Sequence, residues 1–397
     1  MSLFKLFALS ALIHGWVAFR LLPSLAGFPA GQVVLAGILG ASSMLTPLGL
    51  TARRFARPPL ADRLSGAGLL CMGLISSLMV LTLLRDAVLV VLWGANFLAP
   101  GFAVLAPWRT ASAQAVALLA GLATLLGLFN ARRTAAVVRV DVPISGLPAA
   151  WHGFTVAQIS DIHVGPTIGQ RYVRRIVDRV NTLGADMVAI TGDLVDGGVA
   201  ELAAHIAPLA DLRSRHGTFF VTGNHEYYSG VHAWIEELRR LGLTVLLNEH
   251  VVLAAADVDA DTDACADTDA LARASLPLVL AGVTDFNAAY FDPAHRSDPA
   301  RALAGAPPEA VRLLLAHQPR SAAAAADAGF DLQLSGHTHG GQFYPWNLFV
   351  RLQQPFTAGL HRWGTLWVYT SRGTGYWGPP KRFGSPSEIT MLRLVAG

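Results

Sequence analysis

The sequence predicts an N-terminal α-helical transmembrane region followed by an α/β layered sandwich. Three observations carry that prediction. Of 397 residues, 53% are hydrophobic and only 14% are charged, against roughly 25% charged in ordinary soluble domains, so part of the chain belongs in lipid. The apolar excess is confined to residues 1–130, which are rich in Leu, Ala, Gly and Val and nearly free of acids. Beyond Val140, apolar runs of strand length alternate with amphipathic segments of helical period, and this half holds nearly all the His, Asp and Glu. The expected organisation is a helical membrane region over 1–130 with about four spans, a linker over 131–150, and a folded domain over 151–397.

A bilayer-crossing helix needs about 20 apolar residues. Residues 6–25, 32–50, 66–84 and 113–129 meet that need. A fifth run, 87–106, is apolar but interrupted by Asn96, Pro100 and Gly101, and reads as a re-entrant or interfacial segment. A cleaved signal peptide would account for the first run alone. Arginine placement sets the orientation. Arg53, Arg54, Arg57 and Arg63 follow the second span, and Arg132, Arg133 and Arg139 follow the last; Arg20, Arg85 and Arg109 fall on the other side. Four spans put both Arg-rich segments, the N-terminus and the folded domain in the cytoplasm, with the chain integral to the cell (inner) membrane. A fifth span would reverse the side of the domain.

The net charge of +3 comes from these flanking arginines and reads as topology. No basic stripe interleaved with aromatics is present for stacking bases, so a nucleic-acid partner is not expected. The two cysteines, Cys71 in an apolar run and Cys265 in an acidic stretch, are not expected to pair, and their number excludes a thiolate metal site. Residues 257–269 (DVDADTDACADTD) superficially match a calcium loop, but Thr262 and Thr268 stand where glycine and glutamate are needed, so a solvated loop is expected.

In the second half, strands are expected over 154–160, 187–191, 218–222, 244–247, 277–283, 311–316, 332–335, 366–370 and 389–394, and helices over 171–183, 202–212 and 231–241. Five of the strands end in polar motifs: Asp161-Ile162-His163, Gly192-Asp193-Leu194-Val195-Asp196, Gly223-Asn224-His225-Glu226, His317, and Gly336-His337-Thr338-His339. Ligand sites in layered α/β folds gather at the carboxyl ends of strands. Side chains two apart in an extended chain share a side, so Asp161 and His163 can address one ion. The donors are nitrogen and oxygen without sulfur, a set suited to Mn, Fe, Zn, Ni or Co. Gly192, Gly223 and Gly336 precede the polar residues at sharp exits, where positive φ or tight space favours glycine. Any one motif alone reads as an ordinary turn, and a lone His317 as a satisfied core histidine. Five together, in this order, point to a metal centre.

The series D-x-H, G-D-x-x-D, G-N-H-E, H and G-H-x-H resembles that of the calcineurin-like metallophosphoesterase superfamily, from about Trp151 to the C-terminus. GNHEYYSG (223–230), LSGHTHGGQ (334–342) and SRGTGYWGPPKR (371–382) bring it closest to the membrane-associated bacterial branch that includes YkuE and YaeI. The resemblance implies the calcineurin-like fold and two divalent metal ions. It implies Asp161, His163, Asp193 and His339 at the first ion, Asp193 as the bridge, and Asn224, His317 and His337 at the second. It also implies that His225 faces substrate as acid or charge stabiliser, and a phosphoester hydrolase activity. Asp196 is expected to orient His225 or a ligand, or else to be a turn residue. Arg372, Tyr376 and Trp377 are weaker substrate-binding candidates that serve equally as structural residues. The expected reaction is hydrolysis of a phosphodiester or pyrophosphate bond, of a lipid-linked or envelope-precursor substrate at the bilayer. The alternatives are a nucleotide or cyclic-nucleotide phosphodiesterase, and a non-catalytic membrane sensor or scaffold with a metal-binding domain.

Overall fold

The computed structural model describes residues 2–102, 105–254 and 276–397. The acidic run 257–269, with Cys265, lies outside the described residues. The chain divides into two compact units, one of residues 1–132 with Gly378–Phe383, the other of 133–377 with 384–397.

The first unit is built on four long helices: α1 (Leu3–Leu21), α2 (Pro29–Thr51), α3 (Leu60–Leu98) and α4 (Leu105–Arg132). Each belongs to a segment long and apolar enough to cross a membrane. The fifth apolar run is not a span of its own. Helix α3 runs on from the third span through Arg85 and Asp86 as far as Leu98, and stops just before Pro100 and Gly101. Arg85 and Asp86 do not break it, because both are helix-compatible and Asp86 is neutralised by Arg20 at 2.7 Å. Helices α2 and α3 cross at glycines: a Cβ on Gly49 would stand 2.7 Å from Gly68 Cα, a separation reached only by small residues. Leu21, Leu35, Leu39, Ile75, Leu78 and Ala120 close the core of this bundle. Gly378–Phe383 belongs to the same unit, with Arg382 N–H donating to Gly127 O at 2.9 Å and Lys381 Nζ to Gly73 O at 3.1 Å.

The second unit is two six-stranded sheets. One has the order β1 (Ala136–Ile144), β12 (Glu388–Ala396), β2 (Thr155–Ile159), β3 (Met187–Ile190), β4 (Thr218–Phe220), β5 (Thr244–Val245). The other has the order β10 (Gly359–Trp363), β11 (Leu366–Thr370), β9 (Leu332–Ser335), β8 (Val311–Leu315), β7 (Leu278–Gly282), β6 (Glu249–Leu253). Val156, Met187, Phe219, Leu280, Leu313, Leu334 and Leu392 meet in one apolar layer that draws on both sheets. Strands β2, β3 and β4 are parallel, as are β8 and β9, which brings five carboxyl ends toward one edge.

The segment read as a linker, 131–150, contains β1, paired along its whole length with β12. Its outward Arg139 and Asp141 lower its apolar signal, and Asp141 is instead held by Arg393 at 2.7 Å. Strands β6 and β10 also went unanticipated; both are edge strands with only partly buried faces, so neither shows a continuous apolar run. The expected helices appear as α5 (Gln170–Asn181), α6 (Val199–Ile206) and α8 (Val231–Arg240), with a further single turn, α7 (Asn224–Tyr228), between β4 and α8.

Candidate metal centre

The loops after β2 and β3 run side by side. Asp161 N–H donates to Gly192 O at 3.0 Å, His163 N–H to Asp193 O at 3.1 Å, and Asp196 N–H to Val164 O at 2.8 Å. The side chains do not converge through an extended strand as expected. Asp161, His163, Asp193, His337 and His339 all sit at positive φ, between 52° and 70°. That region is disfavoured for residues bearing a Cβ, and five such residues in one site mark a backbone bent to aim side chains. Of the three glycines, only Gly192 has positive φ, at +85°. Gly223 and Gly336 are required by space: a Cβ on Gly223 would collide with Asp193 Oδ1, and one on Gly336 with Ser160 Oγ and Asp161 Oδ2.

Two groups of donors result. In the first, His163 Nε2 lies 3.0 Å from His339 Nε2, and His339 Nε2 lies 3.6 Å from Asp161 Oδ1. In the second, His317 Nε2 lies 3.1 Å from Asp193 Oδ2 and 3.1 Å from His337 Nδ1. Asp193 stands between them, 3.9 Å from His163 Nε2. Nitrogens bound tetrahedrally to one ion at about 2.05 Å would be roughly 3.3 Å apart, so both groups have the spread of a coordination shell. Asn224 Oδ1 is buried and has no hydrogen-bond partner among the described residues. A buried amide oxygen left without a donor is costly, and a cation would satisfy it.

The histidine tautomers suit that use. His317 Nδ1–H donates to Thr191 O at 2.7 Å, which leaves Nε2 facing Asp193 and His337. His163 Nδ1–H donates to Asp196 Oδ1 at 3.0 Å, which leaves Nε2 facing His339. Burial disfavours the imidazolium of His163, but Asp196, Asp193 and Asp161 outweigh it and hold its pKa at about 9. His317 is likewise buried, yet Asp193 lifts it well above the usual histidine range. Asp161 is raised, chiefly by burial, and His337 is pushed down to about 3 by burial and by His317 beside it. The pocket therefore attracts positive charge, and a divalent ion would take the place of protons there.

His225 lies at the rim. Its Nδ1–H donates to Asp196 Oδ1 at 2.6 Å, while its backbone N–H donates to Asp193 Oδ1 at 2.9 Å. Asp196 thus holds His163 and His225 with one oxygen, combining the two orienting roles that were alternatives in the sequence. Tyr228 and Trp377, both exposed, lie with ring centroids 5.1 Å and 5.7 Å from that of His225. The other two weak candidates serve elsewhere. Arg372 is held by the buried Glu388, Nε to Oε2 at 2.6 Å, and Tyr376 is buried with its hydroxyl on Thr167 O at 3.1 Å. Neither is presented to the rim in the way Trp377 is.

Glu226 closes the third motif and has a structural role that its sequence position alone does not reveal. Its carboxylate accepts from the N–H groups of Gly223, Asp193, Leu194 and Val195 at 2.6–3.3 Å, tying the β3 and β4 exits together. The available signal was its place at the third residue of α7, the capping-box position.

Residues 154–341 match the calcineurin-like phosphoesterase family. Over 278 residues the chain is 42% identical to a Bos taurus protein described as a transmembrane protein with metallophosphoesterase domain, covering 69% of this chain and 60% of that one. It is 39% identical over 242 residues to an uncharacterized metallophosphoesterase of Helicobacter pylori, covering 60% of this chain and 58% of that one. It is 27% identical over 255 residues to the uncharacterized metallophosphoesterase YkuE of Bacillus subtilis, covering 62% and 81%. The chain spans about 60% of the length of the first two of these relatives.

Proposed function

Because residues 154–341 match the calcineurin-like phosphoesterase family and the described residues include four helices of membrane-crossing length, we propose that the protein is a membrane-anchored, dinuclear metal-dependent phosphoester hydrolase. One ion would be held by Asp161, His163, Asp193 and His339, and the other by Asp193, Asn224, His317 and His337. The observation that carries this reading is that Asp193 groups with both histidine sets; the buried Oδ1 of Asn224, next in sequence to His225, has no hydrogen-bond partner among the described residues. Two such ions, when bound, would supply Lewis acidity toward phosphoryl oxygens and would lower the pKa of water.

The chain's own contribution is positional and protonic. Asp196 fixes the Nδ1–H tautomer of His225, so Nε2 is the nitrogen that takes up a proton and passes it to the departing alkoxide. Tyr228 and Trp377 flank that imidazole with exposed aromatic surface, which suits a substrate with an apolar or ring-bearing group. Together with the four spans, this favours a phosphodiester or pyrophosphate bond in a lipid-linked substrate over a soluble monoester. The Arg53–Arg63 and Arg132–Arg139 clusters favour the cytoplasmic face of the cell membrane for the domain. A phosphatase reporter active after Arg139, with a fluorescent reporter dark there, would reverse that side.

The test is hydrolysis of bis-p-nitrophenyl phosphate by the full-length protein in detergent, with Mn²⁺ supplied and with metal stripped. Nitrophenol release that requires metal supports the hydrolase. A metal-loaded, folded protein with no turnover of this diester or of a panel of lipid-linked pyrophosphates and nucleotides would favour a scaffold. A soluble nucleotide turned over faster than the lipid-linked compounds would displace the lipid reading.

A further inference from the structure

The three arginines assigned by sequence to the side away from the Arg53–Arg63 cluster do not lie scattered. Arg20 near the end of α1, Arg85 in α3 and Arg109 near the start of α4 line one cavity of about 330 Å³ within the helical unit, together with Asp86, Ser24 and Trp93. Helix geometry sets its depth. Arg85 is 25 residues beyond the start of α3 at Leu60, a rise of roughly 38 Å, against a hydrocarbon core of about 30 Å. The cavity therefore belongs at the level of lipid head groups, where α1 ends and α4 begins.

The arginines have different duties. Arg85 is spent on the fold. Its Nη1 donates to Asp86 at 3.1 Å, its Nη2 to Ser24 Oγ at 2.8 Å and Arg109 O at 3.2 Å, and its Nε to Ser112 Oγ at 3.0 Å. With a further bond from Nη1 to Arg20 O at 3.4 Å, it pins α1, α3 and α4 and is buried. Arg20 uses only Nε, on Asp86 Oδ2 at 2.7 Å; its two terminal amino groups have no partner among the described residues. Arg109 contributes its carbonyl to Arg85 and Ser112, and its guanidinium makes no hydrogen bond or ion pair among the described residues. Among the described residues, Asp86 is the sole carboxylate lining the cavity. Three guanidinium groups against one carboxylate leave two positive charges uncompensated. Beside them stand Phe19, Val90 and Trp93, large apolar side chains all exposed.

We propose that this cavity binds the phosphate head group of an anionic phospholipid. The terminal amino groups of Arg20 and the guanidinium of Arg109 take the phosphate oxygens, a donor array matched to that group. Phe19, Val90 and Trp93 take the glycerol and the first carbons of the acyl chains, and an interfacial tryptophan suits that depth. The uncompensated charge selects an anionic lipid over a zwitterionic one. The apolar wall selects a lipid over free phosphate, which has no use for it. Basic pockets between transmembrane helices are an established way to hold such head groups. This inference is independent of the phosphoesterase site.

The experiment is native mass spectrometry of the full-length protein from nanodiscs of equal parts phosphatidylglycerol and phosphatidylcholine. The protein should retain phosphatidylglycerol preferentially. The double substitution Arg20→Gln/Arg109→Gln should cut that preference roughly 30-fold, since each cation near a membrane surface contributes about a factor of five. Arg85 is left intact because it holds the helices together, and unchanged far-UV circular dichroism would establish that the variant is folded. A second arm adds millimolar inorganic phosphate, which should leave the retained lipid unchanged. Equal retention of both lipids by the native protein, an unaltered preference in the folded double variant, or displacement of the lipid by phosphate would each overturn the proposal.

Discussion

Among the described residues, polar groups are mostly paired locally in the helical unit and gathered into clusters of potential ligands in the α/β unit. Among the helices, Ser10 Oγ donates to Ser43 O at 2.8 Å, His14 Nε2 meets Ser42 Oγ at 2.8 Å, and Thr51 and Thr124 return their hydroxyl protons to carbonyls one turn back at 2.8 Å. Each of these polar atoms is closed off by a neighbour, as a low-dielectric surrounding demands, whereas Thr46 Oγ1 and Thr82 Oγ1 in the same helical unit are buried without a partner among the described residues. At the strand ends of the α/β unit the same rule is left incomplete. Asn224 Oδ1 has no donor among the described residues, and Asp193, His317 and His337 bring three potential ligand atoms within 4.8 Å of one another. A polar set that completes itself builds architecture. One that converges without completing itself leaves room for a ligand.

Four substitutions sharpen this contrast, from the largest expected effect to the smallest. Asp193→Asn removes the charge shared by both donor groups, and should abolish nearly all diester hydrolysis while the protein remains folded. Retention of full activity would break the assignment of Asp193 as the shared ligand. His225→Ala should keep the metals but lower kcat by about 10²–10⁴-fold on a substrate with a poor leaving group. With an aryl leaving group, which needs little protonation, the loss should shrink; an equal loss on both substrates would assign His225 to charge stabilisation instead. Loss of metal in that variant would place His225 among the ligands.

Asp196→Asn should cost about 10–100-fold in activity or metal affinity, since it holds both His163 and His225. No change in either quantity would reduce Asp196 to a turn residue. The smallest effect is expected on the lipid-facing side of the helices. Leu125, exposed on α4, should tolerate Leu125→Ala within about 0.5 kcal/mol and with unchanged hydrolysis. A large activity loss there would mean that α4 does more than anchor.

The same contrast explains what could be read from the sequence. A metal site of the kind proposed would restrict residue identity atom by atom, so Asp161, His163, Asp193, Asn224, His317, His337 and His339 stand out as motifs, and the structure brings all but Asn224 into groups of potential ligands. Their means of convergence was not legible. Positive φ at five of these residues is a property of tertiary constraint, and no side-chain pattern encodes it. Glu226 was half-legible, visible as a capping residue but not as the acceptor of four N–H groups from two loops. In the membrane region, composition located the helices but not their limits. Residues 85–98 continue α3 because the Arg85 and Asp86 pair that resembles a boundary is neutralised by partners far along the chain. Strand β1 escaped notice because Arg139 and Asp141 interrupt its apolar run, and its pairing with β12 spans more than 240 residues.

The central claim is that the incomplete polar set at the strand ends is completed by two ions. Elemental analysis of the full-length protein, loaded with Mn²⁺ and then freed of excess metal, tests it most directly. Close to two equivalents per chain are expected, falling to near zero in Asp193→Asn. A folded native protein that holds one equivalent or none under saturating metal, or an Asp193→Asn variant that still holds two, would contradict it.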